Sequence, residues 1–159
     1  MQNSLAVIDR LIREHEAIRQ KAAGIADLIS DEGAVKLLGE IDAANLGRLL
    51  ELLKSTMQGL ETHFNFEESG LLAAAERFDD RRMNTAFSTL FLQHEKLRND
   101  FTSSIRDLTQ LLNERPSGRV GQKQARDTLA RLNVTISMLK SHAASEDKLL
   151  HELKAALEK

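Results

Sequence analysis

The sequence predicts an all-α fold, an up-down-up-down antiparallel four-helix bundle, and three observations carry the prediction. Apolar side chains recur at spacings of three and four through four long stretches. The breaks between these stretches are short, as helix-to-helix connections in a bundle are. A length of 159 residues suits one hydrophobic core, so residues 1–159 are expected to form a single domain.

The first helix is expected near 3–30, with Leu5, Ile8, Ile12, His15, Ala22 and Ile29 along its seam and Ser30-Asp31-Glu32-Gly33 ending it. The second is expected near 40–76 through Leu46, Leu49, Leu53, Met57, Leu60, Phe64, Glu67 and Leu71, with Gly39, Gly47 and Gly59 weakening it. Asp79-Asp80 reads as the N-cap region of a third helix near 80–114. Its seam runs Met83, Phe87, Leu90, His94, Leu97, Phe101, then Leu108 and Leu111 after a gap at Ser104. Arg115-Pro116-Ser117-Gly118, with Gly121, marks a loop. The fourth helix, near 119–158, has the strictest pattern: Leu129, Leu132, Ile136, Leu139, Ala143, Glu146, Leu150, Leu153 and Leu157. No internal repeat and no low-complexity stretch is expected.

Composition removes several classes of function. A net charge of -2 spread along the chain gives no basic footprint, so nucleic acid is not an expected partner. No apolar run approaches the roughly 18 residues that span a bilayer, and the first residues do not read as a signal peptide. No membrane partner is therefore expected, and a cytoplasmic location is. The absence of cysteine excludes disulfides, thiolate metal sites, iron-sulfur ligation and cysteine nucleophiles, so any metal must use histidine and carboxylate. Tyrosine and tryptophan are absent as well, which removes a tyrosyl radical and two of the usual base-stacking side chains.

Each seam is interrupted by residues that resist burial: His15, then His63 with Glu67, then His94, then His142 with Glu146. A buried carboxylate without a partner costs several kcal/mol, so it demands a proton, a cation or a metal. In an antiparallel bundle these positions fall in one layer, roughly 14–24 Å from one end at about 1.5 Å per residue. His63 and Glu67, like His142 and Glu146, are four residues apart and share a helix face. Imidazole with carboxylate suits iron, manganese or zinc, and four histidines with two bridging carboxylates fit two ions better than one.

The remaining polar neighbours read as ordinary. His151 lies about 180° around the helix from His142 and is expected to face solvent. Glu68 and Asp147, each beside a proposed ligand, read as exposed charges. The phenylalanines, all between 64 and 101, read mostly as core, with those near His63 and His94 able to line a dry pocket. A ferritin-like site would need Glu-x-x-His and a zincin His-Glu-x-x-His, and neither occurs. No Gly-rich phosphate loop or nucleophile elbow occurs either.

The pattern of His15, then His63-Phe64-Asn65-Phe66-Glu67-Glu68, then His94, then His142 with Glu146 resembles the hemerythrin-like (HHE) cation-binding domain over nearly the whole chain. The resemblance implies that His15 and His63 hold one iron and His94 and His142 the other. Glu67 and Glu146 would bridge them beside an oxo or hydroxo group. Oxygen carriers of this family place a second histidine four residues after the third-helix ligand, where this chain has Arg98. They also use an aspartate five residues after the fourth-helix histidine, which would be Asp147, whereas the seam points to Glu146. The four-histidine, two-glutamate set is similar to the branch containing bacterial proteins that repair iron centres after nitric oxide or peroxide stress.

What the resemblance implies is a non-haem di-iron protein that binds dioxygen, nitric oxide or peroxide for sensing or stress protection. Two other roles stay open under the same resemblance: an iron donor or repair factor for damaged iron centres, and a di-iron enzyme that decomposes peroxide or reduces nitric oxide. Enzymatic activity and the redox partner are not legible.

Overall fold

The four seams form four helices: α1 (Gln2–Ile29), α2 (Ala43–Phe78), α3 (Arg81–Glu114) and α4 (Gly118–Leu157). The computed structural model describes residues 2–30, 43–78, 80–114 and 118–158. Among the described residues there is no strand. Asp80 is the N-cap of α3, its carboxylate accepting from the Met83 N–H at 3.2 Å and its carbonyl from the Asn84 N–H at 2.9 Å. Asp79, Pro116, Gly33 and Gly39, also expected at breaks, lie outside the described residues.

Gly121 departs from expectation, since it is buried inside α4 rather than in a loop. An interior glycine costs a helix only about 1 kcal/mol relative to alanine. That is too little to break a helix anchored by buried Ala125, Leu129 and Leu132. Gly47 and Gly59 lie within α2 for the same reason.

Contacts along each pair of neighbours run in opposite directions, which fixes the antiparallel arrangement. Gly70 lies against Val7, Gly59 against Lys21 and Gly24 against Leu52, from one end of the α1–α2 pair to the other. Between α3 and α4 the sequence is Arg82–Glu152, Gln93–His142 and Arg131–Asp107. Helices α1 and α3 each pack on both α2 and α4.

The seam of α1 differs from the expected one. Leu11, Ile18 and Ile25 are buried, with Ile8, His15, Ala22 and Ile29, whereas Leu5 and Ile12 are only half-buried. Isoleucine or leucine occupies both 11 and 12, so the spacing alone allows either register through His15. In α2, Thr56 is buried in place of half-buried Met57, its hydroxyl donating to the Leu52 carbonyl at 2.7 Å. Ser104 is buried and closes the gap in α3, while Leu157 at the end of α4 is half-buried.

Two apolar clusters result. The larger joins Ile18, Leu53, Leu60, Phe64, Phe101 and Leu132 with their neighbours, and the smaller joins Ile8, Leu11, Leu71, Phe87, Leu150 and Leu153. Each fully buried side chain of this kind contributes about 1.5–3 kcal/mol. Together they offset the cost of the polar layer between them.

The burial pattern also contains a repeat. Positions 79 apart, such as 8 and 87 or 53 and 132, are buried in both hairpins: Ile8 with Phe87, Leu11 with Leu90, Ile18 with Leu97, Leu53 with Leu132, Thr56 with Thr135. The expectation of no internal repeat is corrected here. Three of these five pairs keep the same side chain, while Ile8 with Phe87 and Ile18 with Leu97 exchange one apolar side chain for another, as a core position that selects for volume and apolarity allows.

Candidate metal centre

Between the two clusters, His15, His63, Glu67, His94, His142 and Glu146 meet, all buried. One residue comes from α1, two from α2, one from α3 and two from α4, as the seams require. Glu67 turns Oε2 toward His63 Nε2 (3.1 Å) and His15 Nε2 (3.4 Å), and Oε1 toward His94 Nε2 (3.0 Å). Glu146 repeats this with Oε1 near His15 Nε2 (2.6 Å) and Oε2 near His142 Nε2 (2.9 Å) and His94 Nε2 (3.5 Å). Each carboxylate therefore gives one oxygen to the His15/His63 side and one to the His94/His142 side.

Two overlapping groups follow. His15, His63, Glu67 and Glu146 offer atoms within 4.8 Å of one another, and so do Glu67, His94, His142 and Glu146. Of these contacts only His15 Nε2 with Glu146 Oε1 has the geometry of a hydrogen bond: His63 Nε2, both Glu67 oxygens and Glu146 Oε2 are buried without a partner of suitable geometry. Orphaned buried polar atoms of this kind are costly, and atoms that approach without bonding one another share an unfilled need for a cation. The residues fit a metal pair on that ground.

An outer layer fixes the rings. His15 Nδ1 lies 2.5 Å from Asp147 Oδ1, His63 Nδ1 2.9 Å from Glu14 Oε1, His94 Nδ1 3.0 Å from Glu68 Oε1 and His142 Nδ1 2.7 Å from Gln93 Oε1. Carboxylate and amide oxygens accept only, so each ring donates from Nδ1, and in a neutral imidazole that leaves Nε2 as the atom able to hold a metal. Three arginines back this layer, Arg19 pairing with Asp147, Arg10 lying 3.2 Å from Glu14 and Arg98 3.4 Å from Glu68. Phe64 stacks on His94 with centroids 3.9 Å apart and an interplanar angle of 10°, and Phe91 lies 5.3 Å from the same ring.

The electrostatics set the charge of two of these groups. Burial, then the nearby His94, pushes the His142 imidazole down to about 4, against the raising effect of Glu67, so the ring is neutral at neutral pH. Burial alone would raise the Glu67 carboxyl, but the close approach of His15, His63 and His94 outweighs it and holds the group below the usual carboxylate range. Neutral imidazoles and ionised carboxylates are the protonation states that ligate metals.

The structure brings together all six side chains singled out from the sequence, and His151 is exposed as expected. It overturns the reading of Glu68 and Asp147 as mere exposed charges, because both accept from buried imidazoles on other helices. Glu14 and Gln93 were not anticipated. Their signal was position: each directly precedes a seam histidine, yet each supports a histidine of the neighbouring helix.

Four helices that converge six imidazole and carboxylate side chains on one buried layer define a helical-bundle protein of the cation-binding kind. This chain belongs to the hemerythrin family: the hemerythrin HHE cation-binding domain matches residues 6–153. No curated protein and no solved structure matches the chain. No described helix is long and apolar enough to cross a membrane.

Proposed function

We propose that the six side chains hold two iron ions with an oxo or hydroxo group between them, and that the centre binds dioxygen, nitric oxide or peroxide for sensing or stress protection. His15 and His63 would serve one ion and His94 and His142 the other, with Glu67 and Glu146 shared. The observation that carries this reading is the split of both carboxylates, one oxygen toward each histidine pair, with most of those oxygens left unbonded within the protein. Iron in such a site supplies redox chemistry and an affinity for small oxidants.

The chain's own residues leave room for such a ligand. Arg98, one turn after His94, cannot donate a lone pair, and its guanidinium is held by Glu61 at 3.3 Å, Asn65 at 3.3 Å and Glu68. Two imidazoles and two shared carboxylates then face each ion, fewer groups than octahedral iron takes. Phe64, Phe91 and the apolar clusters exclude bulk water from the layer.

Metal analysis with an optical spectrum tests the proposal. About two irons per chain, oxo-bridge absorption and a new band on adding nitric oxide to the reduced protein are expected. Zinc alone, or iron-loaded protein whose spectrum ignores nitric oxide, would refute it.

A further inference from the structure

The two histidine pairs face the same kind of interior but do not have the same support behind them. His15 donates from Nδ1 to Asp147, and His63 to Glu14, so both rings of that pair rest on carboxylates. On the other side His94 rests on Glu68, but His142 rests on the neutral amide oxygen of Gln93 at 2.7 Å. Gln93 occupies the position 79 residues after Glu14, so the same place in the repeat holds a charge in one hairpin and an amide in the other. Arginines stand behind all three carboxylates, Arg19 on Asp147, Arg10 on Glu14 at 3.2 Å and Arg98 on Glu68, so the two sides differ in the acceptor behind each ring rather than in net charge.

A carboxylate behind an imidazole draws on the Nδ1 proton and raises electron density at Nε2, and an arginine paired to that carboxylate weakens the pull without abolishing it. An amide fixes the ring equally well but draws less on the proton. Outer partners of this kind change metal affinity by about 10–100-fold. Resting on the reading that the centre holds two metal ions, we infer that the two positions are unequal. The His15/His63 position fills first and holds its divalent transition-metal ion more tightly. The His94/His142 position fills second and releases first, and Gln93 is the positioning residue that sets the difference. At limiting metal the chain then carries one ion, held at the His15/His63 position, and the second position is the exchangeable one.

The test is an anaerobic titration of metal-free protein with Co(II), followed by chelator competition and by proton NMR of the exchangeable imidazole N–H signals that paramagnetic Co(II) shifts. Gln93 is exposed, so Gln93→Glu is expected to leave the circular dichroism unchanged. That variant should leave the first binding step and its shifted signals alone and tighten the second step by about 10-fold. Glu14→Gln should weaken the first step by about 10-fold and move the signals seen at one equivalent. A second step insensitive to Gln93→Glu, or one-equivalent signals that answer to position 93 and not to position 14, would overturn this inference while two bound ions still stood. A chain that took up no Co(II) would overturn the metal-centre reading itself.

Discussion

The α1–α2 hairpin contributes His15, His63 and Glu67 where the α3–α4 hairpin contributes His94, His142 and Glu146, yet one layer out the two are built differently. Glu14 answers to Gln93, Phe64 to Ala143 and Gly59 to Met138, each pair 79 positions apart. The first hairpin opens a cavity of about 410 Å³ that reaches Glu14, Gly59 and His63. Its counterpart between α3 and α4 is about 250 Å³, has Met138 in its wall and does not reach His142. A shared carboxylate must meet both histidine pairs at once, so the inner residues tolerate no asymmetry. An outer residue only has to accept one hydrogen bond or fill one volume, and there the hairpins diverge.

The largest effect should come from removing what the hairpins share. Glu67→Ala and Glu146→Ala each take away an oxygen from both sides, so both variants should lose the metal pair to the same extent by elemental analysis. A variant that kept two ions would break the equivalence of the two glutamates. His151→Ala, on the exposed face of α4, should keep the metal content of the unaltered protein.

Next in size is Phe64, which the first hairpin lays on His94 and which the second replaces with Ala143. Phe64 is almost wholly buried in the larger apolar cluster, so Phe64→Ala should cost about 3–5 kcal/mol in urea unfolding. A cost below about 1 kcal/mol would show that the layer collapses around the lost ring and that the asymmetry has no structural weight.

What the sequence reveals divides along the same line as the hairpins' likeness. The helices and the six inner residues were legible because burial at three-four spacing leaves a regular trace, and a histidine or glutamate in an apolar seam stands out. Asp80 was legible as a cap because capping is a local contact between residues three apart. The outer layer was not, because its contacts cross between helices: Glu14 sits beside His15 but holds His63, and Glu68 sits beside Glu67 but holds His94. The seam of α1 was misread where adjacent apolar residues, Leu11 and Ile12, offered two registers through one histidine.

Acid should destabilise the metal-free protein, because the second hairpin carries an imidazole that burial holds low. His142 titrates near 4 in the fold and near 6.5 when unfolded, so the unfolded chain binds the proton first as pH falls. The stability tied to its neutral form is fully present above about 6.5 and is lost as pH falls to about 4. The total is on the order of 3 kcal/mol. Glu67, also depressed, adds stability above its ordinary value of 4.5 and loses it as the pH falls further, so the two act in succession. Urea midpoints of metal-free protein should decline from pH 6.5 downward, and a flat profile to pH 4.5 would show that His142 is not held neutral by burial.

The smallest effect should come from Gly59, where the first hairpin has a gap and the second has Met138. A Cβ at position 59 would meet only the end of the flexible Lys21 side chain, at 3.5 Å, which is ordinary contact. The residue lies well inside α2, where glycine costs roughly 0.5–1 kcal/mol against alanine through the freedom it keeps when unfolded. Gly59→Ala should therefore raise the unfolding free energy by about that amount, seen as a higher urea midpoint at an unchanged slope. It also moves the first hairpin one methyl group toward the second, narrowing the cavity beside His63 without touching a proposed ligand. Metal content should stay the same and small-ligand binding to the loaded centre should change little. If Gly59→Ala instead slowed nitric oxide uptake while stabilising the fold, the gap between α1 and α2 would be the entry to the centre, and the difference at 59 and 138 would be one of access as well as packing.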